Sequence, residues 1–261
     1  MTPLFFISVA LYGAATTVYF VCLFGRSERA LRVARWVLAV ALLGHLAMIG
    51  SLCIQKHNPL QDVRGALSLA AWLLGLGYLL TTFRTRMGAV GAFITPLSMA
   101  LLISAGITPQ TPGPGVSPLG KLHIALAAIG VAAFGLAAAV SLIHLMQETA
   151  LKRKRLGPLF RRSPPLTALD DAGRRLILVG FPIFTLAMVT GAVWVSQLPS
   201  HDEFRIEYLI SAVTWFIFAL IIIARWTVGW RGRQAAWATV AGFLATVVIL
   251  MIYMGRRMLG G

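Results

Sequence analysis

The sequence predicts an all-α polytopic membrane protein: a bundle of eight transmembrane helices with both termini on the outer side. Three observations lead to this prediction, namely the composition, the length of the apolar stretches and the distribution of basic residues. Of the 261 residues, 58% are hydrophobic and only 12% are charged, whereas soluble globular proteins are about 45–50% apolar and about 25% charged. This composition excludes an ordinary soluble domain and makes lipid the main solvent of the chain.

Eight apolar stretches are each long enough to cross about 30 Å of hydrocarbon, which requires about 20 helical residues. The connections between them are short, so residues 1–261 are predicted to form a single membrane domain. The predicted spans are about residues 3–24, 36–54, 65–83, 87–107, 122–146, 176–198, 206–224 and 235–255.

The first four spans follow from their apolar composition and from the residues that separate them. Span one begins at residue 3 with neither a basic segment before it nor an Ala-x-Ala cleavage site, so it is predicted to be retained. Four arginines separate it from span two, and Arg84 and Arg86 separate span three from span four. Pro96 is predicted to kink span four.

The last four spans are separated by more distinctive connections. The stretch 106–121 is rich in proline and glycine, which predicts an extended cap on the outer side rather than a helix. Span five follows this cap, and the basic stretch 147–175 separates it from span six. Pro182 is predicted to kink span six, and Gly191 marks a place where span six approaches another helix closely. Spans seven and eight follow after short connections.

The basic residues predict the orientation. Seventeen of the 23 Lys and Arg residues lie in the first, third, fifth and seventh connections, eight of them within 147–175. By the positive-inside rule these connections face the cytoplasm, and both termini face outward. The net charge of +15 is therefore interpreted as a topology signal, and no nucleic-acid partner is predicted. The cluster Lys152–Arg155 is placed to contact anionic lipid.

Histidines are the side chains that could supply metal or cofactor ligands in number. On the predicted topology His57 and His123 lie on the outer side, and His45 is the central residue of span two. Because haem iron takes axial histidines, His123 and His57 are candidate haem ligands, with an interfacial histidine as the alternative for each. A histidine at mid-bilayer is a functional candidate by default, and an interhelical hydrogen bond is the alternative for His45.

Three further side chains complete this set of candidates. Trp194 at the outer end of span six could offer haem an aromatic surface, although tryptophan also favours membrane interfaces without any ligand. His144 lies about 31 Å of helix rise from His123 on the same span, so the two cannot share an iron. We interpret His144 as a residue of the cytoplasmic side and His201 as a solvated loop residue.

No motif in the sequence predicts an enzyme. There is no Walker loop and no His-Glu-x-x-His pattern. The ionisable residues within or beside the spans do not form a chain suited to proton relay. No inverted repeat with paired broken helices favours a transporter.

Segments spread over the chain carry a family resemblance. The segments are His57-Asn58-Pro59-Leu60, Leu122-His123-Ile124, Pro164-Pro165-Leu166, Thr190-Gly191-Ala192-Val193-Trp194 and Gly229-Trp230-Arg231-Gly232-Arg233. Their order and spacing, together with eight spans, resemble the cytochrome c assembly protein family, which includes the CcsA-type and HemX/YpjD-type inner-membrane proteins.

The resemblance implies a multi-pass protein of the bacterial inner membrane that serves cytochrome c biogenesis and binds or handles haem at the outer face. It implies His123 as the external haem ligand and His45 as the membrane histidine. Other cytochrome c assembly proteins or a haem-synthesis enzyme are the implied partners, beside membrane lipid and haem itself.

The chain departs from the family pattern at three places. The tryptophan-rich signature expected between Trp194 and Trp215 is absent, and Arg225 stands where the family commonly has a histidine. The external histidine expected after the segment 229–233 is also missing, since no histidine follows His201. These departures move the chain toward the HemX/YpjD branch. The alternative function is therefore a non-catalytic membrane scaffold or regulator of haem biosynthesis that acts through the basic stretch 147–175 and does not bind haem.

Overall fold

The computed structural model of the chain describes residues 3–24, 28–55, 58–83, 87–109, 116–154, 164–197 and 206–258. Within these ranges the regular structure is entirely helical, and eight helices are long and apolar enough to span a membrane. This confirms the predicted all-α bundle of eight membrane-spanning helices. The helices are α1 Pro3–Phe24, α2 Glu28–Ile54, α3 Val63–Thr82, α4 Gly88–Ile107, α5 Pro118–Lys152, α6 Leu166–Ser196, α7 Ile206–Thr227 and α8 Arg233–Met258.

Helix α5 begins earlier than the sequence predicts. The predicted extended cap ran to residue 121, but residues from Pro118 onward are helical. The Ser117 side chain accepts a hydrogen bond from the Gly120 amide at 3.2 Å, and Pro118 occupies the first helical position, where its missing N–H costs nothing. The resulting helix of 35 residues is about 52 Å long, so it is longer than the hydrocarbon core is thick.

Side-chain capping and interior prolines shape the other helices. Asp62 caps α3, because its Oδ1 accepts a hydrogen bond from the Gly65 amide at 2.8 Å. Pro96 and Pro182 lie inside α4 and α6, where the sequence predicted kinks.

Helix α5 is the centre of the bundle, since it packs against α3, α4, α6 and α8. A first core cluster joins α1 to α4 with α5, and includes the buried Tyr12, Tyr19 and Tyr78. A second cluster lies between α5, α6, α7 and α8, where Phe134 stacks on Phe218 with ring centroids 3.7 Å apart. A third, small cluster joins Leu145 of α5 to Ala236 and Val240 of α8. All three clusters of the described residues therefore include α5.

Contacts between helix ends show how neighbouring helices are directed. The start of α5 contacts the end of α6 at His123 and Gly191, and the end of α5 contacts the start of α6 at His144 and Leu166. The two helices are therefore antiparallel. We name the end of the bundle that holds His123 the outer end and the end that holds His144 the inner end, as the charge distribution predicts.

Candidate functional site

His123 lies at the outer end of α5 in a notch on α6. The notch exists because residue 191 is glycine. A Cβ atom added to Gly191 would lie 2.6 Å from Nδ1 and 2.7 Å from Cε1 of His123, distances that ordinary side chains never reach. The imidazole thus packs directly against the backbone of α6, and the prediction that Gly191 marks a close helix approach is confirmed.

A hydrogen bond fixes the tautomer of the His123 ring. Its Nδ1 lies 2.7 Å from the carbonyl oxygen of Ala187. A carbonyl oxygen only accepts, so Nδ1 carries the hydrogen and donates it. In the neutral ring Nε2 then carries the lone pair. Metal-ligating histidines commonly have this arrangement, with one ring nitrogen donating to a carbonyl while the other binds the metal. The His123 side chain is partly exposed.

Trp194 lies beside His123 and is held by a second glycine notch. The two ring centroids are 6.0 Å apart with an angle of 37° between the planes. A Cβ atom added to Gly120 would lie 2.6 Å from Cε2 of Trp194. The packing is therefore reciprocal, since the histidine of α5 fits over the glycine of α6 and the tryptophan of α6 fits over the glycine of α5.

Sequence reasoning named His123, Trp194 and Gly191 separately and did not find Gly120 or Ala187. A signal for the pairing was present. Each helix carries a glycine three residues before its aromatic ring, Gly120 before His123 and Gly191 before Trp194, which places both members on one helix face. Any residue has a backbone carbonyl, so the sequence gives no sign that the one of Ala187 accepts a hydrogen bond from His123. This hydrogen bond is visible only in the structure.

His45 lies apart from His123, in the first core cluster. It is completely buried, and both of its ring nitrogens have partners. Nδ1 lies 3.2 Å from the Tyr12 hydroxyl of α1, and Nε2 lies 3.0 Å from Oγ of Ser68 of α3. The Tyr12 ring meets the imidazole edge-on at a centroid distance of 5.7 Å. His45 therefore ties three helices together, which favours the interhelical hydrogen bond that the sequence left open.

The helix that holds His45 begins earlier than the predicted span, so His45 is not its central residue. The residue was expected at the centre of a span that starts at residue 36, but α2 begins at Glu28. His45 is nine residues from the outer end of a 27-residue helix, so it lies about 13 Å below that end. It is nearer to the outer end than to the inner end of α2.

The predicted ligand His57 and the loop residue His201 lie outside the described residues. Nothing is therefore stated of their contacts, and the role of His57 stays a prediction. Among the residues that the structure does describe, no group of three or more His, Cys, Asp or Glu side chains is arranged to hold a metal ion. A single imidazole such as His123 is the kind of ligand that a haem iron requires.

The inner end of the bundle holds a second set of polar side chains. His144 is buried, and its Nδ1 donates to the Leu166 carbonyl oxygen at 3.2 Å. Arg225 of α7 forms an ion pair with Asp170 of α6 at 3.2 Å, and its side chain is 8% exposed. His144 was predicted on the cytoplasmic side, and this fold places it at the opposite end of α5 from His123. The partner of Arg225 was not foreseen, because a pair 55 residues apart leaves no local pattern.

His123 and His45 differ in how well they meet the requirements of a haem ligand. His123 fits an axial ligand, because Nε2 carries a lone pair, the ring is partly exposed and its orientation is fixed. His45 in this conformation does not fit, because hydroxyl groups occupy both of its nitrogens and the side chain is inaccessible. Coordination by His45 would require one of these two hydrogen bonds to break.

Comparison with known proteins gives consistent matches over most of the chain. A family described as cytochrome C assembly protein matches residues 60–261. The chain is 25% identical to a cytochrome c biogenesis protein CcsA of Microcystis aeruginosa, over 85% of this chain and 83% of the relative. It is 25% identical to a protein HemX of Brevibacillus brevis, over 93% and 92%, and 23% identical to a protein HemX of Bacillus subtilis, over 92% and 90%.

Proposed function

The chain belongs to the cytochrome c assembly protein family, and from this premise we propose that it serves cytochrome c biogenesis as an integral protein of the bacterial inner membrane. Its role there is to bind or handle haem at the outer membrane face. The similarity to CcsA proteins supports the first part of the proposal. The geometry around His123 supports the second.

The observation that carries the haem proposal is the fixed tautomer of His123. His123 would hold haem through the iron, which would accept an imidazole nitrogen as a ligand. The Ala187 carbonyl keeps the hydrogen on Nδ1, so Nε2 is the nitrogen that offers its lone pair. Gly191 lets the ring lie against α6, and Trp194 adds an aromatic surface next to it. These residues bind and orient, and none of them is assigned a catalytic step.

The proposal assigns the other predicted ligands conditional roles. His57 is the candidate for a second histidine that would hold the iron, because the sequence places it on the same outer side as His123. His45 is assigned to haem only in a conformation that has lost its bond to Tyr12 or to Ser68. In the present conformation we assign it to the packing of α1, α2 and α3.

Absorption spectra of the detergent-purified protein, oxidised and reduced with dithionite, test this proposal. We expect a sharp Soret band and reduced bands in the parent protein that are lost or shifted in His123→Ala. His144→Ala is the matched control, because it removes a histidine from the inner end of the same helix and should leave the haem spectrum unchanged. His57→Ala and His45→Ala then identify the second ligand.

Two results would overturn the haem proposal. One is the absence of haem from protein purified from haem-replete cells and titrated with hemin. The other is full cytochrome c maturation by the His123→Ala variant together with an unaltered spectrum. Either result leaves the family membership and the fold in place.

A second candidate function is a non-catalytic scaffold or regulator of haem biosynthesis that does not bind haem. The observation that favours it is the match to HemX proteins, which extends over 92–93% of the chain. Lys152, Arg153 and Lys154 are exposed at the end of α5 and offer a basic surface. A pull-down with an early haem-synthesis enzyme as bait tests it. Binding should disappear when Lys152–Arg155 are changed to glutamine, and unchanged binding would count against this candidate.

A further inference from the structure

A groove with a volume of about 530 Å³ lies between α7 and α8, on a face of the bundle that would meet lipid. This volume is in the range of sites that bind small molecules. The groove is separate from His123 and lies toward the inner end of the bundle. Its lining is almost wholly apolar and consists of Ile217, Leu220, Ile221, Ala224, Trp230, Ala238, Ala241, Gly242 and Ala245.

The sequence of α8 explains why the groove exists. Alanines recur on one face of this helix at Ala238, Ala241 and Ala245, opposite larger side chains of α7. Between them Gly242 lets α7 approach closely, because a Cβ there would lie 2.5 Å from Cγ2 of Ile217. The two helices are thus held together at the glycine, while the small alanine side chains beside it leave space unfilled.

The length of the groove suits a hydrocarbon chain in one leaflet. On α7 it extends from Ala224 near the inner end to Ile217, seven residues or about 10 Å along the helix. One leaflet contributes about 15 Å to the hydrocarbon core. An apolar groove that opens to lipid at this depth is filled by an acyl chain, since neither water nor a polar group is stable there.

The inner mouth of the groove is a turn at the level of lipid headgroups. Two tryptophans that flank the turn, Trp226 on α7 and Trp237 on α8, are 69% and 55% exposed. Exposed tryptophans at the ends of membrane helices mark the interface with the headgroups. A lipid whose acyl chain lies in the groove therefore has its headgroup beside this turn.

The turn is basic and has no acidic residue near it in sequence. Trp230 lines the groove, and Arg231 and Arg233 beside it are both exposed. Gly229 and Gly232 have φ values of 73° and 56°, which side chains rarely adopt, so the shape of the turn depends on glycine. From residue 208 to the end of the chain there is no Asp or Glu. The acidic residues Asp170 and Glu148 at this end of the bundle pair with Arg225 and Lys152, and within the described residues neither Arg231 nor Arg233 forms an ion pair. The charge of the two arginines is therefore available to an external anion.

We propose that the groove between α7 and α8 binds an anionic phospholipid. One acyl chain lies along the alanines of α8, and Arg231 and Arg233 contact a headgroup whose phosphate is not neutralised by a cation of its own. Basic pockets at the cytoplasmic ends of transmembrane helices bind anionic headgroups by this combination of charge and apolar surface. This site is independent of haem and adds a specific lipid to the partners of the protein.

Native mass spectrometry of the detergent-purified full chain tests the proposal. Phosphatidylglycerol and phosphatidylcholine with identical acyl chains are titrated in parallel. We expect one phosphatidylglycerol to bind more tightly than phosphatidylcholine, with a preference of about fivefold for each arginine, or about 25-fold for both. The double variant Arg231→Gln/Arg233→Gln should lose this preference. Arg174→Gln/Arg175→Gln removes the same charge from the inner end of α6 and should retain it.

A second pair of variants tests the apolar part of the site. Ala241 is exposed in the groove, so Ala241→Leu should fill it without displacing the core and should reduce the bound lipid by one molecule. Ala10→Leu makes the same change at an exposed position of α1 and should have no effect. Equal affinity for the two lipids in the parent protein would overturn the proposal. So would a preference that survives the change of Arg231 and Arg233, or lipid binding that Ala241→Leu leaves unchanged.

Discussion

Substitution of Gly191 by alanine offers the sharpest test of how His123 is held. The new Cβ would lie 2.6 Å from Nδ1 of His123, whereas ordinary contacts begin at 3.4 Å, so ring and backbone must separate by about 0.8 Å. The hydrogen bond from Nδ1 to Ala187, now 2.7 Å long, is the contact that this separation breaks. Overpacking of this kind costs about 1–3 kcal/mol of stability.

The effect on haem should exceed the effect on folding. Loss of the bond that orients a metal-ligating histidine typically lowers metal affinity by about 10–100-fold. We therefore expect Gly191→Ala to weaken hemin binding by that factor, measured by titration of the Soret band, while the protein still elutes as the parent does in size-exclusion chromatography. The His123→Ala variant provides the reference for complete loss of this ligand.

Gly173→Ala is the matched control for this experiment. Gly173 lies on the same helix and also faces α5, but an added Cβ would lie 3.5 Å from Oγ of Ser141, which is an ordinary contact. Hemin affinity should be unchanged in this variant. The reasoning is refuted if Gly191→Ala binds hemin as tightly as the parent, or if Gly173→Ala weakens binding to the same degree.

Three further predictions concern stability, and each is measured by thermal or denaturant unfolding in detergent. Tyr12→Phe removes a hydroxyl partner of His45 and should cost about 0.5–1.5 kcal/mol. Thr17→Ala removes an exposed hydroxyl that is bonded only to its own helix, and it should cost less. Equal losses in the two variants would contradict a stabilising hydrogen bond between α1 and α2. Arg225→Gln leaves Asp170 without its buried partner and should cost about 3–5 kcal/mol. The comparison is Lys152→Gln, which removes an ion-pair partner of Glu148 that is 61% exposed and should cost about 0–1 kcal/mol. A small loss for Arg225→Gln would show that its pair with Asp170 is solvated. Asp62→Ala removes the cap of α3 and should cost about 0.5–2 kcal/mol. Asp62→Asn keeps a side-chain acceptor and should retain most of the stability. Similar losses in both variants would argue against capping.

The fold could be predicted from the sequence because lipid imposes simple requirements on a chain. A span must be apolar over about 20 residues, and its backbone must satisfy its own hydrogen bonds, which only a helix does within a single segment. Both requirements are visible in one sequence, so the eight helices were predicted. The end of a helix is less visible: α5 starts at Pro118 because Ser117 caps it, a local effect that the proline and glycine content of the stretch obscured.

Only some of the residues of the candidate site could be predicted from the sequence. His123 and Trp194 were found by residue type and by resemblance, and Gly191 by its expected role in close packing. Their arrangement was not found, because the contact between residues 123 and 187 spans 64 positions and one partner is a backbone carbonyl. For His45 the sequence left a ligand and an interhelical hydrogen bond as alternatives, and the hydroxyls of Tyr12 and Ser68 favour the second.

The sequence by itself thus determined the class of the protein, its number of membrane-spanning helices and the histidines worth considering, because composition and periodicity are properties of the chain alone. The tertiary structure decided which nitrogen of His123 carries the lone pair, which histidine is closed to ligands and where α7 and α8 leave a groove. These properties depend on distances between residues far apart in sequence, and such distances exist only once the helices have packed.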